Sequence, residues 1–308
     1  MARGKAHPAL LALCFCCVAT AVTAAPMGGI PRADGSVLVG DILYSAAQWQ
    51  SLLARNLNSK ERLWPKNNGV VKIPYKISNP DLNVTLLKLG FSAWESETCV
   101  QFPKASGKDK EYLDISIGDG CYSLVGYIKN DVTTVSISGE ACDLKGVTHE
   151  LGHSMGLEHE QSRSDRDDHI TVIWDNIMPG DEIQFVKENT INFGVPYDYS
   201  SLMQYQAGAG AKDGMRAMLT KDARFQEIIG NTEGISHMNL LLVNTMYNCI
   251  GDWLAACSKK SEPCKNFGYT KKDCSCACPL GTSGKNCENL DMSYNDALVK
   301  KIAPIYSI

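Results

Sequence analysis

His149-Glu150-Leu151-Gly152-His153, followed by His159, is the stretch of this chain whose residue types and spacing most directly promise chemistry. On a helix, His149 and His153 stand four residues apart on one face, so both imidazoles can converge on a single zinc ion. Glu150 lies one step round, placed to hold a zinc-bound water without itself ligating. Gly156 lets the chain leave the helix through a conformation that a side chain disfavours, and the turn brings His159 back as a third nitrogen ligand. Three protein ligands leave a fourth position for water, which separates a catalytic zinc site from a closed structural one. His7, His169 and His237 stand apart from this cluster and read as surface or hydrogen-bonded residues.

Positioning such a site takes a domain of some size, and residues 56–250 are long enough to be one. Val70 to Ile77 reads as a strand in which Pro74 marks an edge. Leu82 to Glu95 carries Leu82, Leu86, Leu89, Phe91 and Trp94 at helical spacing behind an Asn79-Pro80-Asp81 cap. Tyr112–Ile117 and Thr133–Ile137 alternate as half-buried strands do. Strands and helices without a regular βαβ rhythm predict an α+β fold. Residues 25–55 hold no cysteine and, beyond Val37-Leu38-Val39 and Ile42-Leu43-Tyr44, little that could support a core, so they read as a pro-segment or linker.

The 308 residues are 44% hydrophobic and 21% charged, a globular balance. A net charge of -4 argues against a nucleic-acid partner, which would normally meet a basic excess on one face. Without residues 1–55 the count is 26 basic against 32 acidic side chains, and adhesion to polyanions by bulk electrostatics is not expected. The 13 cysteines are unevenly spread, with Cys14, Cys16 and Cys17 at the start, none until Cys99, and seven between Cys249 and Cys287. Arg3 and Lys5 precede an apolar run, Ala9 to Val22, that ends in Val22-Thr23-Ala24; this is the pattern of a signal peptide cut after Ala24, residues 1–24. The run is too short to span a bilayer, and no other segment is long and apolar enough, so no membrane span is expected. The expected product is secreted and extracellular, with ten cysteines left for disulfides. Six of them lie in residues 257–287 among few large apolar side chains, a module that needs staples in place of a core. Residues 288–308 form a short tail with no legible role.

His149 to Asp167 resembles the signature of the astacin family of metzincin metalloproteases, and Glu160-Gln161-Ser162-Arg163 with Asp165-Arg166-Asp167 is the astacin form. The resemblance continues at Ser201-Leu202-Met203-Gln204-Tyr205, similar to the family's Met-turn, which implies Met203 as a bed beneath the metal and Tyr205 as a labile fifth zinc ligand that also donates to the oxyanion. Gln204 stands where the family usually has His. The resemblance implies a two-subdomain catalytic domain with the zinc cleft between subdomains, one Zn(2+) per subunit, and an endopeptidase acting on protein or peptide substrates. Zinc would bring the pKa of its water towards about 7, with Glu150 taking the proton and passing it to the leaving amine.

Val39-Gly40-Asp41-Ile42 is similar to the family's pro-segment motif, with Leu38 where an aromatic is usual; it implies Asp41 as a zinc ligand in the zymogen only. An activating trypsin-like protease would cut before Trp64-Pro65, at Arg55-Asn56, after Lys60 or after Arg62, and the family buries its new N-terminus against the residue that is Glu160 here. The resemblance also implies disulfides Cys99–Cys249 and Cys121–Cys142 in the protease domain. Residues 257–287 resemble an EGF-like module, which implies Cys257–Cys274, Cys264–Cys276 and Cys278–Cys287 and a protein partner for that module, whereas six cysteines alone allow 15 pairings. A zinc ribbon competes for these cysteines, and secretion favours disulfides. Asp252 alone does not make a calcium site. Asn83-Val84-Thr85 is a glycosylation sequon. Arg216 is the one arginine just beyond the Met-turn, in text that departs from the family. The alternative to a peptidase is a secreted binding or adhesion protein using the protease fold and EGF-like module as a scaffold.

Overall fold

The computed structural model describes residues 28–53, 62–139 and 142–302; the signal-peptide cut after Ala24 and the Arg55-Asn56 and Lys60 positions for the activating cut lie outside the described residues. The chain enters through β1 (Ile30–Pro31), β2 (Val37–Val39), β3 (Ile42–Tyr44) and α1 (Ala46–Leu53). Then follow β4 (Lys66–Asn67), β5 (Val70–Lys72), β6 (Tyr75–Ile77), α2 (Val84–Glu95), β7 (Val100–Gln101), β8 (Leu113–Ser116), β9 (Tyr122–Leu124) and β10 (Thr133–Ser136). After α3 (Leu144–Ser154) come β11 (Ile170–Val172), β12 (Met218–Thr220), α4 (His237–Met246) and α5 (Cys249–Ala256). The cysteine-rich region holds β13 (Tyr269–Thr270), β14 (Cys276–Ala277), β15 (Thr282–Ser283) and β16 (Asn289–Leu290), and α6 (Tyr294–Ile302) closes the described chain.

One seven-stranded sheet carries the site, in the order β1-β2-β3-β9-β10-β8-β6. β8 is parallel to β6 and β10, whereas β9 runs antiparallel to β10. Pro74 does more than mark an edge. It divides the apolar run at 70–77, so that β6 ends the large sheet while β5 joins β4 and β7 in a separate three-stranded one.

Helices α2 and α3 pack on the sheet. Asn83 caps α2, its Oδ1 accepting the Leu86 N–H at 3.0 Å. The expected Asn79-Pro80-Asp81 cap instead forms a turn in which the Asn79 side chain accepts the Asp81 N–H. Leu87, Gly90, Phe91 and Trp94 make the buried face of α2, and Leu89 is 51% exposed because it falls on the far side of that stripe. The Trp94 indole N–H donates to the Thr148 carbonyl of α3 at 3.0 Å. Beneath lie Val71, Ile73, Leu113, Ile115, Val135, Val147 and Leu151, at most 0% exposed by the same measure. A second core gathers Ile170, Phe185, Tyr197, Tyr199, Met218 and Phe225 on the other side of the site, so the histidines stand between two packed bodies.

The early segment is less empty than its composition suggests. Val37, Val39, Ile42, Tyr44 and Leu52 form a third core with Val125 and Ile183, two residues of the main body. Disulfides join Cys99 to Cys249, Cys121 to Cys142, Cys257 to Cys274, Cys264 to Cys276 and Cys278 to Cys287. The tail has a definite place, with Leu298 of α6 buried in the second core and Asp296 paired to Arg224 at 2.7 Å.

Candidate metal centre

Helix α3 begins at Asp143, whose carboxylate accepts the Gly146 N–H at 2.9 Å. Val147 and Leu151 root it in the main core, and His149 and His153, each two residues further on and so roughly 200° round the helix, face away from that core. Gly152 sits where a Cβ would come within 2.9 Å of the Met203 sulfur, so the helix can lie directly on that methionine only with glycine there. Gly156 leaves the helix at φ +98°, and its N–H returns to the His153 carbonyl. That turn delivers His159 to the other two histidines. The loop beneath is pinned from several sides: the Glu160 N–H donates to the Met203 carbonyl at 2.9 Å, and the Tyr205 N–H to the Gln161 side chain at 3.1 Å.

The three imidazoles are oriented as metal ligands are. His149 Nδ1 lies 2.8 Å from the Leu202 carbonyl and His153 Nδ1 2.8 Å from the Leu157 carbonyl, so Nδ1 carries the donated proton in each ring. The Nε2 lone pairs are thereby turned inward. His153 Nε2 is 3.0 Å from His149 Nε2 and 3.2 Å from His159 Nε2, and one Asp41 carboxylate oxygen joins them in a group whose ligand atoms all lie within 4.8 Å of one another. Lone pairs so crowded repel unless a cation lies among them, so the donor set fits zinc, which takes neutral imidazole nitrogen and carboxylate oxygen. Burial, reinforced by His159 and His149, pushes the His153 imidazole well down, towards the neutral form that ligates. A second group, Glu262 with Cys264 and Cys276, has both thiols taken by disulfides and offers no comparable site.

Glu150 faces the same centre. It is 2% exposed, and its Oε2 has no hydrogen-bond partner, an unusual state for a buried carboxyl oxygen. Burial first, and then the Asp41 carboxylate, push its pKa well above the ordinary value. Tyr205 packs on His159 with ring centroids 4.3 Å apart, and its hydroxyl donates to Asp41 at 2.9 Å.

Asp41 belongs to the early segment and sits on the histidines, 3.2 Å from His149 Nε2 and 3.0 Å from His159 Nε2. Burial disfavours its charge, but the charge and hydrogen bonds of His159 and His149 prevail and hold the acid well below the usual carboxylate range. Its carbonyl accepts the Ser123 N–H, and β3 runs parallel to β9, so the segment occupies the edge of β9 as an added strand. Gly40 is required there: at φ +62° it lies where a Cβ would come within 2.3 Å of the Tyr205 hydroxyl.

Among the other residues singled out from sequence, Glu160 is buried, accepting the Asp198 N–H at 2.8 Å and the Arg163 guanidinium at 3.2 Å; burial pushes its pKa up to about 7 despite Arg163. Gln204 accepts the Tyr197 hydroxyl and donates to the Tyr205 carbonyl, a role in holding the loop. His169 stacks on Tyr197, and His237 bonds the Phe267 carbonyl. Arg216 pairs with Glu227 at the surface. Gly152, as a support for the site, escapes sequence reasoning because the atom it admits, Met203 Sδ, comes from a distant part of the chain. A cluster of buried side chains, Tyr44, Arg62, Glu158 and Glu188, escapes it for the same reason.

The family model described as Astacin (Peptidase family M12A) matches residues 56–248. Zinc metalloproteinase nas-36 of Brugia malayi is 36% identical over 225 residues, 71% of this chain and 37% of its own length. Blastula protease 10 of Paracentrotus lividus is 35% identical over 228 residues, 70% of this chain and 38% of its own. The chain therefore spans well under half the length of these two relatives. Zinc metalloproteinase nas-6 of Caenorhabditis elegans is nearer in size, 31% identical over 271 residues that make up 78% of this chain and 76% of its own. Among solved structures, High choriolytic enzyme 1, a hatching enzyme zinc-protease from Oryzias latipes, superposes with a TM-score of 0.58 at 32% identity, over 63% of this chain and 98% of the other.

Proposed function

Because the chain belongs to the astacin family of zinc metalloproteinases, peptidase family M12A, we propose that it is a secreted zinc endopeptidase, made latent and hydrolysing peptide bonds in proteins. The observation that carries this reading is the seating of the Asp41 carboxylate among His149, His153 and His159, with Glu150 and Tyr205 facing the same point. His149, His153 and His159 are the zinc ligands, and the bound zinc supplies a Lewis acid that acidifies water and polarises a carbonyl. Glu150 Oε2, buried and without a partner, takes a proton from the attacking water and returns it to the nitrogen of the leaving amine. The Tyr205 hydroxyl, which Asp41 now occupies, is released when the pro-segment leaves and can donate to the scissile carbonyl oxygen as negative charge gathers there. The same departure bares the edge of β9, where an extended substrate can pair.

Residues 1–24 are the signal peptide and 25–55 the pro-segment. A cut by a trypsin-like protease after Arg55 suits the family match, which begins at residue 56. Arg62 is a poor alternative, since its side chain is buried and its carbonyl accepts the Tyr127 N–H at 2.7 Å. Residues 257–287 make an EGF-like module that engages a protein partner, and Asn83 carries a glycan: it is exposed, and its cap uses Oδ1, leaving Nδ2 for the sugar. The test is hydrolysis of a denatured protein by the secreted full chain before and after trypsin. Chelator-sensitive hydrolysis that appears only after trypsin is expected. Hydrolysis that survives the chelator, or none at all, rejects the reading.

A further inference from the structure

Tyr44 is 3% exposed, and its hydroxyl donates to Glu188 Oε1 at 3.0 Å. Behind it lies a buried group with one cation for two carboxylates: Arg62 pairs closely with Glu158 and stands 3.8 Å from the second Glu188 oxygen. Two buried carboxyl groups thus share one cation, and neither the Glu188 Oε2 nor the Glu158 oxygens find a hydrogen bond of good geometry. Buried carboxylates are costly unless donors reach them, and Tyr44 is a donor that departs with the pro-segment. Arg62 and Glu188 lie beyond the proposed cut and remain. Of the apolar cluster to which Tyr44 belongs, the residues that remain are Val125, Ile183 and Val186. Removing the pro-segment therefore opens a slot with apolar walls and a carboxylate floor, beside the strand edge that a substrate would use.

We propose that the place of Tyr44 is a substrate subsite, selected by Glu188 for a lysine or arginine side chain. A long apolar stem fits the valine and isoleucine walls, and a cationic donor tip meets the Glu188 oxygen that Tyr44 leaves. Tyr44 occupies this subsite in the latent form as a neutral imitation of that side chain, which presupposes the peptidase activity proposed above.

The test uses the trypsin-activated full chain and fluorogenic peptides that carry lysine, arginine, methionine or leucine in turn at each position flanking the cleaved bond. The readout is the ratio of kcat/KM for the basic peptide to that for its methionine counterpart. At one position the wild-type ratio should be about tenfold or more, and Glu188→Gln should bring it close to one. A synthetic peptide of residues 28–53 gives a second readout, by its affinity for activated Glu150→Ala protein. Tyr44→Phe should weaken that peptide about tenfold, an effect that disappears when the protein also carries Glu188→Gln. The subsite is overturned if wild type shows no basic preference at any position, or if Glu188→Gln keeps the preference, while chelator-sensitive cleavage of the methionine peptides leaves the peptidase reading standing. Failure to cleave any peptide overturns both.

Discussion

Asp41 is the residue on which the proposed latency turns, because it meets His149, His159 and Tyr205 at once. Asp41→Ala in the full-length chain is expected to show peptide hydrolysis without trypsin, measured beside wild type that stays silent until cut. Gly40→Ala should err in the same direction, since its methyl group would displace the Tyr205 hydroxyl and unseat Asp41. After activation, Tyr205→Phe is expected to lower kcat about 10²-fold with little change in KM, the signature of a donor that matters only as charge develops. Much of this was legible in the chain itself. The His149/His153/His159 spacing and the Ser201–Tyr205 turn carry their chemistry locally, and the Gly40-Asp41 pair announces itself by type. What sequence could not provide was the state of each group: that Glu150 keeps an unpartnered oxygen, or that Tyr205 is held by Asp41, depends on contacts between residues more than a hundred positions apart.

At the scale of elements, the site depends on α3 being pressed between α2 and the Met203 loop. Gly90 of α2 is the point of closest approach, with a Cβ there only 2.9 Å from Val147 and 3.1 Å from Leu151. Gly90→Val should therefore force the helices apart at a cost of about 1–3 kcal/mol, read as a lower urea midpoint or Tm, and should lower activity because His149 and His153 ride on the displaced helix. Periodicity located α2 and the strands at 113–116 and 133–136 well enough, and the His149/His153 spacing marked α3. It mistook the cap, because Asn79-Pro80-Asp81 and Asn83 are both good turn formers and only the fold decides which of them meets a free helical N–H. It picked out Val37–Val39 and Ile42–Tyr44 as the apolar runs of the early segment but not what they pack on, since short runs gain burial only from partners such as Val125 and Ile183, which lie far along the chain.

For the molecule as a whole, the proposed pro-segment and the tail are both structural members. Residues 30–44 supply three of the seven strands of the main sheet. Helix α6 ties the cysteine-rich region back onto the second core through Leu298, through the Asp296–Arg224 pair, and through the Tyr294 and Ser200 hydroxyls, 3.4 Å apart. Nothing in residues 288–308 predicts this, because the amphipathic stripe of α6 is short and its partners, Ser200, Arg224 and the second core, are not neighbours in sequence. Leu298→Asp, a charge placed in that core, is expected to cost about 2–3 kcal/mol and lower Tm by several degrees, while making residues beyond 287 more susceptible to limited proteolysis.

The central claim is that the zinc held by three histidines works with Glu150 as the proton carrier, and it is tested most directly by comparing trypsin-activated wild type with Glu150→Ala on one denatured protein, after metal analysis of both. Equal zinc content with hydrolysis reduced about 10²–10⁴-fold in the variant is the predicted result. Equal hydrolysis by the two proteins would contradict it.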